Sequence, residues 1–466
     1  MSRHMSYTKE QLMLAFSYMS YYGITHTGSA KKNAELILKK MKEALKTWKP
    51  FQEDDWEVVW GPAVYTMPFT IFNDAMMYVI QKKGAEGEYV IAIRGTNPVS
   101  ISDWLFNDFM VSAMKKWPYA SVEGRILKIS ESTSYGLKTL QKLKPKSHIP
   151  GENKTILQFL NEKIGPEGKA KICVTGHSKG GALSSTLALW LKDIQGVKLS
   201  QNIDISTIPF AGPTAGNADF ADYFDDCLGD QCTRIANSLD IVPYAWNTNS
   251  LKKLKSIYIS EQASVKPLLY QRALIRAMIA ETKGKKYKQI KAETPPLEGN
   301  INPILIEYLV QAAYQHVVGY PELMGMMDDI PLTDIFEDAI AGLLLEHHHH
   351  HHGTASELIE GRGSDGNDLI QGGKGADFIE GGKGNDTIRD NSGHNTFLFS
   401  GHFGQDRIIG YQPTDRLVFQ GADGSTDLRD HAKAVGADTV LSFGADSVTL
   451  VGVGLGGLWS EGVLIS

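Results

Sequence analysis

The 466-residue sequence predicts two folds in series: an α/β unit on a mainly parallel sheet with helices on both faces, then a small all-β parallel roll. Three observations predict this. Short apolar runs alternate with helix-length segments through the first three quarters of the chain, the pattern of a sheet covered on both sides. One of those runs feeds directly into Gly176-His177-Ser178-Lys179-Gly180 and then a helical stretch. From Gly363 onward the sequence repeats with a period of nine.

Taken in order, residues 6–22 place Leu12, Leu14, Ala15, Tyr18 and Met19 at helical spacing and stop at Gly23. Residues 33–47 form a second helix. Residues 56–81 read as strands, and residues 89–94 as a short buried strand closing on Gly95. The apolar run from Lys171 to Thr175 and the helical stretch 182–192 flank Ser178. Strands follow at 203–210 and 233–237, and residues 303–327 and 332–345 are helical. Residues 251–296 carry eleven Lys/Arg against three Glu, the solvated face of a helical insertion.

Composition narrows the function. The chain carries a net charge of −6, but residues 363–466 hold 14 acids against 7 bases. Acidity confined to that segment suits calcium and argues against nucleic acid. No apolar run reaches the ~20 residues of a membrane helix. Three cysteines exclude a disulfide framework, leaving Cys227 and Cys232 as either a pair or two thiols.

A strand, a glycine-flanked turn and a helix expose a serine at the strand's C-terminal end, beside the helix's first N–H groups. Ser178 so placed is a nucleophile, and those N–H groups can hold an oxyanion. In α/β hydrolases the acid and then the histidine follow the serine. Of the histidines before position 347, only His316 follows Ser178. Among the acids between them, Asp240 sits in a loop at the end of the strand 233–237, where sites of open parallel sheets lie. One oxyanion donor is the N–H of Lys179; the other comes from the loop after an earlier strand, at Thr96. Beyond it, Ile101, Trp104, Leu105, Phe109 and Met110 fall at helical spacing, as in a lid with an apolar face.

Leu345-Glu346, six histidines at 347–352, Gly353-Thr354 and Ile359-Glu360-Gly361-Arg362 read as a tag, a cloning scar and a protease-site linker. The chain therefore divides into a hydrolase unit at 1–346, an engineered join at 347–362 and a repeat unit at 363–466. Three nonapeptides starting at Gly363, Gly372 and Gly381 fit G-G-x-G-x-D-x-U-x, with a lapse at Ser364, and a degraded fourth starts at Asp390. Their glycines turn the backbone and expose carbonyls, the aspartate adds a carboxylate, and Ile370, Ile379 and Ile388 fill the interior.

Residues 5–345 resemble the class 3, filamentous-fungal-type triacylglycerol lipases, a Photobacterium lipase among them. The resemblance rests on Arg94-Gly95-Thr96, Trp104, Asp108, Gly176-His177-Ser178-x-Gly180-Gly181-Ala182, Asp240-Ile241-Val242-Pro243 and His316. It implies a Ser178–Asp240–His316 triad, an oxyanion hole at Thr96 and Lys179, and a lid over about 97–117. Lys179 departs from the aliphatic residue many relatives carry. Residues 363–466 are similar to the C-terminal domain of a Pseudomonas lipase exported by a type I ABC transporter. That implies a calcium-bound β-roll with Asp368, Asp377 and Asp386 as ligands, joined by Asp365 and the carbonyls of Gly366, Gly375 and Gly384. It also implies an uncleaved export signal at the chain end, and secretion from the cytoplasm.

The expected function is hydrolysis of triacylglycerol at a lipid–water interface, with calcium serving the repeat unit alone. An esterase or phospholipase on the same fold, and a catalytically silent calcium-binding export cargo, are the competing readings.

Overall fold

The computed structural model describes residues 6–24, 29–66, 73–85, 87–96, 113–259, 265–267, 269–291, 295–302, 308–336, 360–362, 367, 369–371, 378–389, 395–420, 431–457 and 463–465. The chain separates into two compact units, Met1–Glu337 and Asp338–Ser466.

Unit 1 is built on a five-stranded sheet. Its strands are β1 (Trp56–Thr66), β2 (Asn73–Lys82), β3 (Glu88–Ile93), β6 (Ala170–His177) and β7 (Ile203–Phe210), in that spatial order. β1, β2 and β3 pair antiparallel, whereas β3, β6 and β7 pair parallel. The parallel half carries the site, because all three of its strands end at one edge. A second sheet joins β4 (Met114–Lys116), β5 (Lys128–Ser130), β8 (Gly216–Asn217) and β9 (Tyr287–Lys288). Residues 233–237 run extended beside β7 but make only isolated bridges, Thr207 with Cys232 and Phe210 with Ile235, so they do not form the expected strand.

The helices pack by pattern. α1 (Lys9–Met19) opens on a capping box in which Thr8 and Gln11 exchange hydrogen bonds, satisfying donors that the first turn leaves open. α2 (Ala30–Thr47) buries Ala34, Ile37, Leu38, Met41 and Ala44, one stripe at helical spacing. α3 (Glu131–Lys142) and α4 (Ile156–Ile164) are likewise amphipathic. α5 (Lys179–Asp193) differs: every residue from Gly180 to Leu191 is buried, so it is the helix around which the core closes. Leu183, Leu187 and Leu191 join Ile91, Ile93, Ile172 and Val174 in that core.

Residues 97–112, most of the expected lid, lie outside the described residues. The segment after them corrects the lid's far boundary. Met114–Lys116 pairs antiparallel with β5, and Trp117 is fully buried with its indole N–H donating to Asp193 Oδ2 at 2.7 Å. A side chain so fixed belongs to the body, which ends any lid before Met114. Cys173, Cys227 and Cys232 are thiols, none of them in a disulfide.

Unit 2 is a roll of two sheets visited alternately. One holds β10 (Glu360–Arg362), β12 (Phe378–Glu380), β14 (Thr396–Ser400), β16 (Arg416–Gln420) and β20 (Val463–Ile465). The other holds β11 (Leu369–Gln371), β13 (Thr387–Arg389), β15 (Gln405–Ile409) and β19 (Asp446–Val451), extended by β18 (Asp438–Phe443) and β17 (Ala432–Val435). Glu360 pairs with Phe378 and Leu369 with Thr387, so one full turn is two nonapeptides. Ile379, Ile388, Phe397, Ile408 and Leu417 are fully buried, which is the interior column the repeat's eighth position supplies. Residues 360–362, assigned to the join by sequence, pair as the roll's first strand.

Candidate active site

Ser178 stands between β6 and α5 with φ 64° and ψ −129°, a left-handed conformation that a non-glycine residue adopts only when its surroundings impose it. The imposition is visible in the glycines. A Cβ on Gly176 would lie 2.4 Å from the carbonyl oxygen of Gly180, and one on Gly180 would lie 2.3 Å from that of Ile93. Only bare backbone lets the turn fold onto β3 this closely. The carbonyl of Ser178 accepts the N–H of Gly181 at 2.8 Å, starting α5 directly from the serine.

Asp240 and His316 come together 76 residues apart in sequence: His316 Nδ1 lies 2.8 Å from Asp240 Oδ2, and both side chains are buried. A carboxylate only accepts, so Nδ1 carries the proton and Nε2 is left as the basic nitrogen. Asp240 is held by two further donors, the Tyr320 hydroxyl on Oδ2 at 2.8 Å and the Val242 N–H on Oδ1 at 2.9 Å. Tyr320 in turn accepts the N–H of Asn237 at 3.0 Å, and Asn237 Nδ2 donates to the Gln315 carbonyl at 3.0 Å. The loop that carries the acid is thereby laced to the helix Tyr308–Val317 that carries the histidine.

His177 links that pair to the serine's own strand. Its Nε2 lies 2.8 Å from the carbonyl oxygen of His316, which must accept, so Nε2 is protonated and Nδ1 accepts from the Tyr21 hydroxyl at 2.8 Å. The two imidazoles are 4.5 Å apart between centroids. Burial, with the neighbouring His316 second, pushes the His177 pKa well below its ordinary value, so it is a neutral strut.

The oxyanion side is equally anchored. Thr96 Oγ1 is buried and makes no hydrogen bond among the described residues, a spare donor one residue past Gly95, where a Cβ would lie 3.0 Å from Ser178 Cβ. Just before it, Arg94 is buried, its Nε donating to the Ser20 carbonyl at 2.8 Å and an Nη to that of Tyr22. Burial lowers its pKa to about 9. Tyr18 reaches the Val317 carbonyl at 2.6 Å. The end of α1 thus fixes the Thr96 loop, His177 and the segment after His316 together. Beside Lys179, a cavity of 30 Å³ is lined by Ala182, Leu183, Pro213, Trp246, Ser132 and Thr133.

Of the sequence-predicted site, Ser178, Lys179, Thr96, Asp240 and His316 all lie in unit 1's described residues, and Asp240 pairs with His316. Sequence reasoning names Arg94 and His177 only as motif positions, with no role attached, and does not single out Tyr21, Asn237 or Tyr320. For Tyr21 the signal is the aromatic run Tyr18-Met19-Ser20-Tyr21-Tyr22, which reads as ordinary core.

Residues 90–250 match the lipase (class 3) family, and the crystal structure of M37 lipase is 99% identical, with a TM-score of 0.71, across 73% of this chain and all of that one. The chain belongs to the class 3 lipases. Residues 362–397 match the RTX calcium-binding nonapeptide repeat in four copies. A 70-residue stretch is 87% identical to a Pseudomonas fluorescens lipase, and 75 residues are 36% identical to a phospholipase A1-II 1 of Oryza sativa. The chain spans only 15% and 18% of those two proteins.

In this lipase, Asp365, Gly366, Asp368, Gly375 and Asp377, expected among the calcium ligands, lie outside the described residues. Gly384 and Asp386 are described and fit a calcium ion. Asp386 is buried, Gly384 has φ 124°, and the Asn385 N–H donates to Asn367 Oδ1 one turn earlier at 2.8 Å. Carboxylate and backbone carbonyl oxygens on tight glycine turns are the hard donors that calcium takes. No described helix is long and apolar enough to cross a membrane.

Proposed function

We propose that Ser178, Asp240 and His316 hydrolyse triacylglycerol through an acyl-enzyme, with the oxyanion held by Thr96 and Lys179. The observation that carries this reading is the buried Asp240–His316 pair at 2.8 Å, tied by the His177 imidazole to the strand that ends in a serine held at φ 64°. His316 Nε2 takes the Ser178 proton as Oγ attacks the ester carbonyl, and Asp240 stabilises the imidazolium that forms. The oxyanion meets the N–H of Lys179 and the N–H and hydroxyl of Thr96. His316 then protonates the departing alkoxide, and water repeats the sequence in reverse to release the fatty acid.

Calcium serves unit 2, where it would bridge carboxylates and turn carbonyls, and takes no part in the chemistry. The three-part division at 1–346, 347–362 and 363–466 makes the second unit an export module, read by a type I ABC transporter through the chain end. A phospholipid substrate is the second reading, favoured by the stretch shared with the rice phospholipase.

The test compares emulsified long-chain triacylglycerol, phosphatidylcholine vesicles and a dissolved short-chain ester, with Ser178→Ala as the blank. Long-chain triacylglycerol activity that rises when the short ester forms droplets supports the lipase reading. Turnover of the dissolved ester alone, or of the vesicles in preference, overturns it.

A further inference from the structure

The roll changes its period after β13. Phe378 pairs with Thr396, but Thr387 pairs with Arg407, so this turn has two extra residues. The register leaves Asp406 level with Asp386. The stretch Gly401-His402-Phe403-Gly404-Gln405-Asp406-Arg407-Ile408-Ile409 keeps glycine, glycine, aspartate and an apolar residue at the first, fourth, sixth and eighth positions. It lies beyond the residues that match the repeat family, which end at 397.

Asp386 and Asp406 are each 1% exposed. Asp406 Oδ1 accepts the N–H of Asp386 at 2.9 Å, while its Oδ2 is buried with no hydrogen-bond partner among the described residues. Two buried carboxylates on adjacent strands repel, and an oxygen with no donor loses its hydration without compensation. The neighbouring aspartates show what a satisfied one looks like. On the roll's other flank, Asp415 accepts Asn395 N–H at 2.9 Å and Gln412 N–H at 2.6 Å, and its level partner is a neutral asparagine. Asp446 accepts Gly404 N–H at 2.9 Å and lies 3.3 Å from His402 Nδ1. Asp406 alone of these three keeps an open oxygen. A third hard oxygen lies on the facing turn: the Gly384 carbonyl packs 1.8 Å from where a Cβ on Gly404 would stand, two residues before Asp406.

We propose that Asp406, beyond the recognised repeats, joins Asp386 and the Gly384 carbonyl at their end to bind one more calcium ion between the two turns. Among the described residues no three His, Cys, Asp or Glu side chains converge on a metal; this site rests on two carboxylates and a carbonyl. All-oxygen donors on irregular turns suit calcium, which accepts six to eight ligands, better than magnesium, which demands an octahedron. The series ends there, because Asp446 is closed by Gly404 and His402. The proposal rests on reading residues 362–397 as calcium-binding repeats.

The test is equilibrium dialysis of the full chain with calcium, after chelator treatment, for wild type, Asp406→Asn and Asp415→Asn. Asp406→Asn should bind one calcium fewer than wild type, while Asp415→Asn should match it. Unchanged stoichiometry in Asp406→Asn overturns this site and leaves the repeat reading standing. Equal loss in Asp415→Asn also overturns it, because the loss then reports a weakened roll. Wild type binding no calcium defeats the repeat reading and this one together.

Discussion

Gly95→Ala tests the oxyanion side most directly. A Cβ there would lie 2.2 Å from the Tyr21 hydroxyl, 2.5 Å from the His177 carbonyl oxygen and 3.0 Å from Ser178 Cβ. Tyr21 cannot swing clear, because its ring is buried and its hydroxyl is held on His177 Nδ1 at 2.8 Å. Relieving the contact with the His177 carbonyl to an ordinary 3.4 Å needs a shift of about 0.9 Å between the Thr96 loop and the elbow. Displacement on the order of 1 Å between a reacting group and its donors costs about 10²-fold in rate, as does loss of one oxyanion donor. The expected result is kcat down roughly 10²-fold, or ~2.7 kcal/mol, with KM changed by less than about threefold. Overpacking should also cost ~1–3 kcal/mol of stability. The assay is steady-state hydrolysis of a dissolved short-chain ester, so that no interface intervenes, with circular-dichroism melting to verify the fold. Gly229→Ala is the control: it has φ −51° and meets only Asp225 Cβ at 3.8 Å. Folded Gly95→Ala with kcat within threefold of wild type would falsify the placement of the oxyanion loop against Ser178.

Tyr320→Phe removes a donor to Asp240 Oδ2 and strands the buried N–H of Asn237. Unfolding should be easier by ~2–4 kcal/mol with kcat reduced; unchanged stability in urea would show the hydroxyl to be idle. Because the folded pKa of His177 is depressed, the unfolded chain gains a proton near pH 6.5 that the folded chain refuses. That contribution is fully present above 6.5 and shrinks by up to ~1.4 kcal/mol per unit as pH falls below it. Urea unfolding followed by tryptophan fluorescence between pH 5 and 7.5 checks this, and His177→Asn should flatten the slope by one proton. A chelator should unfold unit 2, seen as lost β-sheet circular dichroism, while dissolved-ester hydrolysis stays within about twofold. Parallel loss of both signals would refute the independence of the two units.

Local rules made much of this lipase legible. The elbow was readable because a strand, a glycine-bounded serine and a helix impose one geometry, and β6 and α5 realise it. His316 was found by order along the chain and Asp240 by its place at a strand end, and the two do pair. The supports were not legible, because they are long-range contacts between residues of ordinary type. Tyr21 and His177 are 156 positions apart, and Tyr320 and Asp240 are 80 apart. A tyrosine in an aromatic run looks the same whether its hydroxyl meets water or an imidazole. The strand expected at 233–237 failed for a related reason. Its β propensity is adequate and its backbone bonds to Thr207, Pro209 and Ala211, but the pairing stays at isolated bridges and the chain goes on to deliver Asn237 and Asp240 to the helix that carries His316. In unit 2 the nonapeptide rule stopped where the period did. Asp406 obeys the same physics as Asp386, a carboxylate before an inward apolar residue on a parallel strand, but the two-residue insertion hides it from a nine-residue count. What the roll conserves across that insertion is the level of its carboxylates, and register rather than motif spacing decides where a cation can sit.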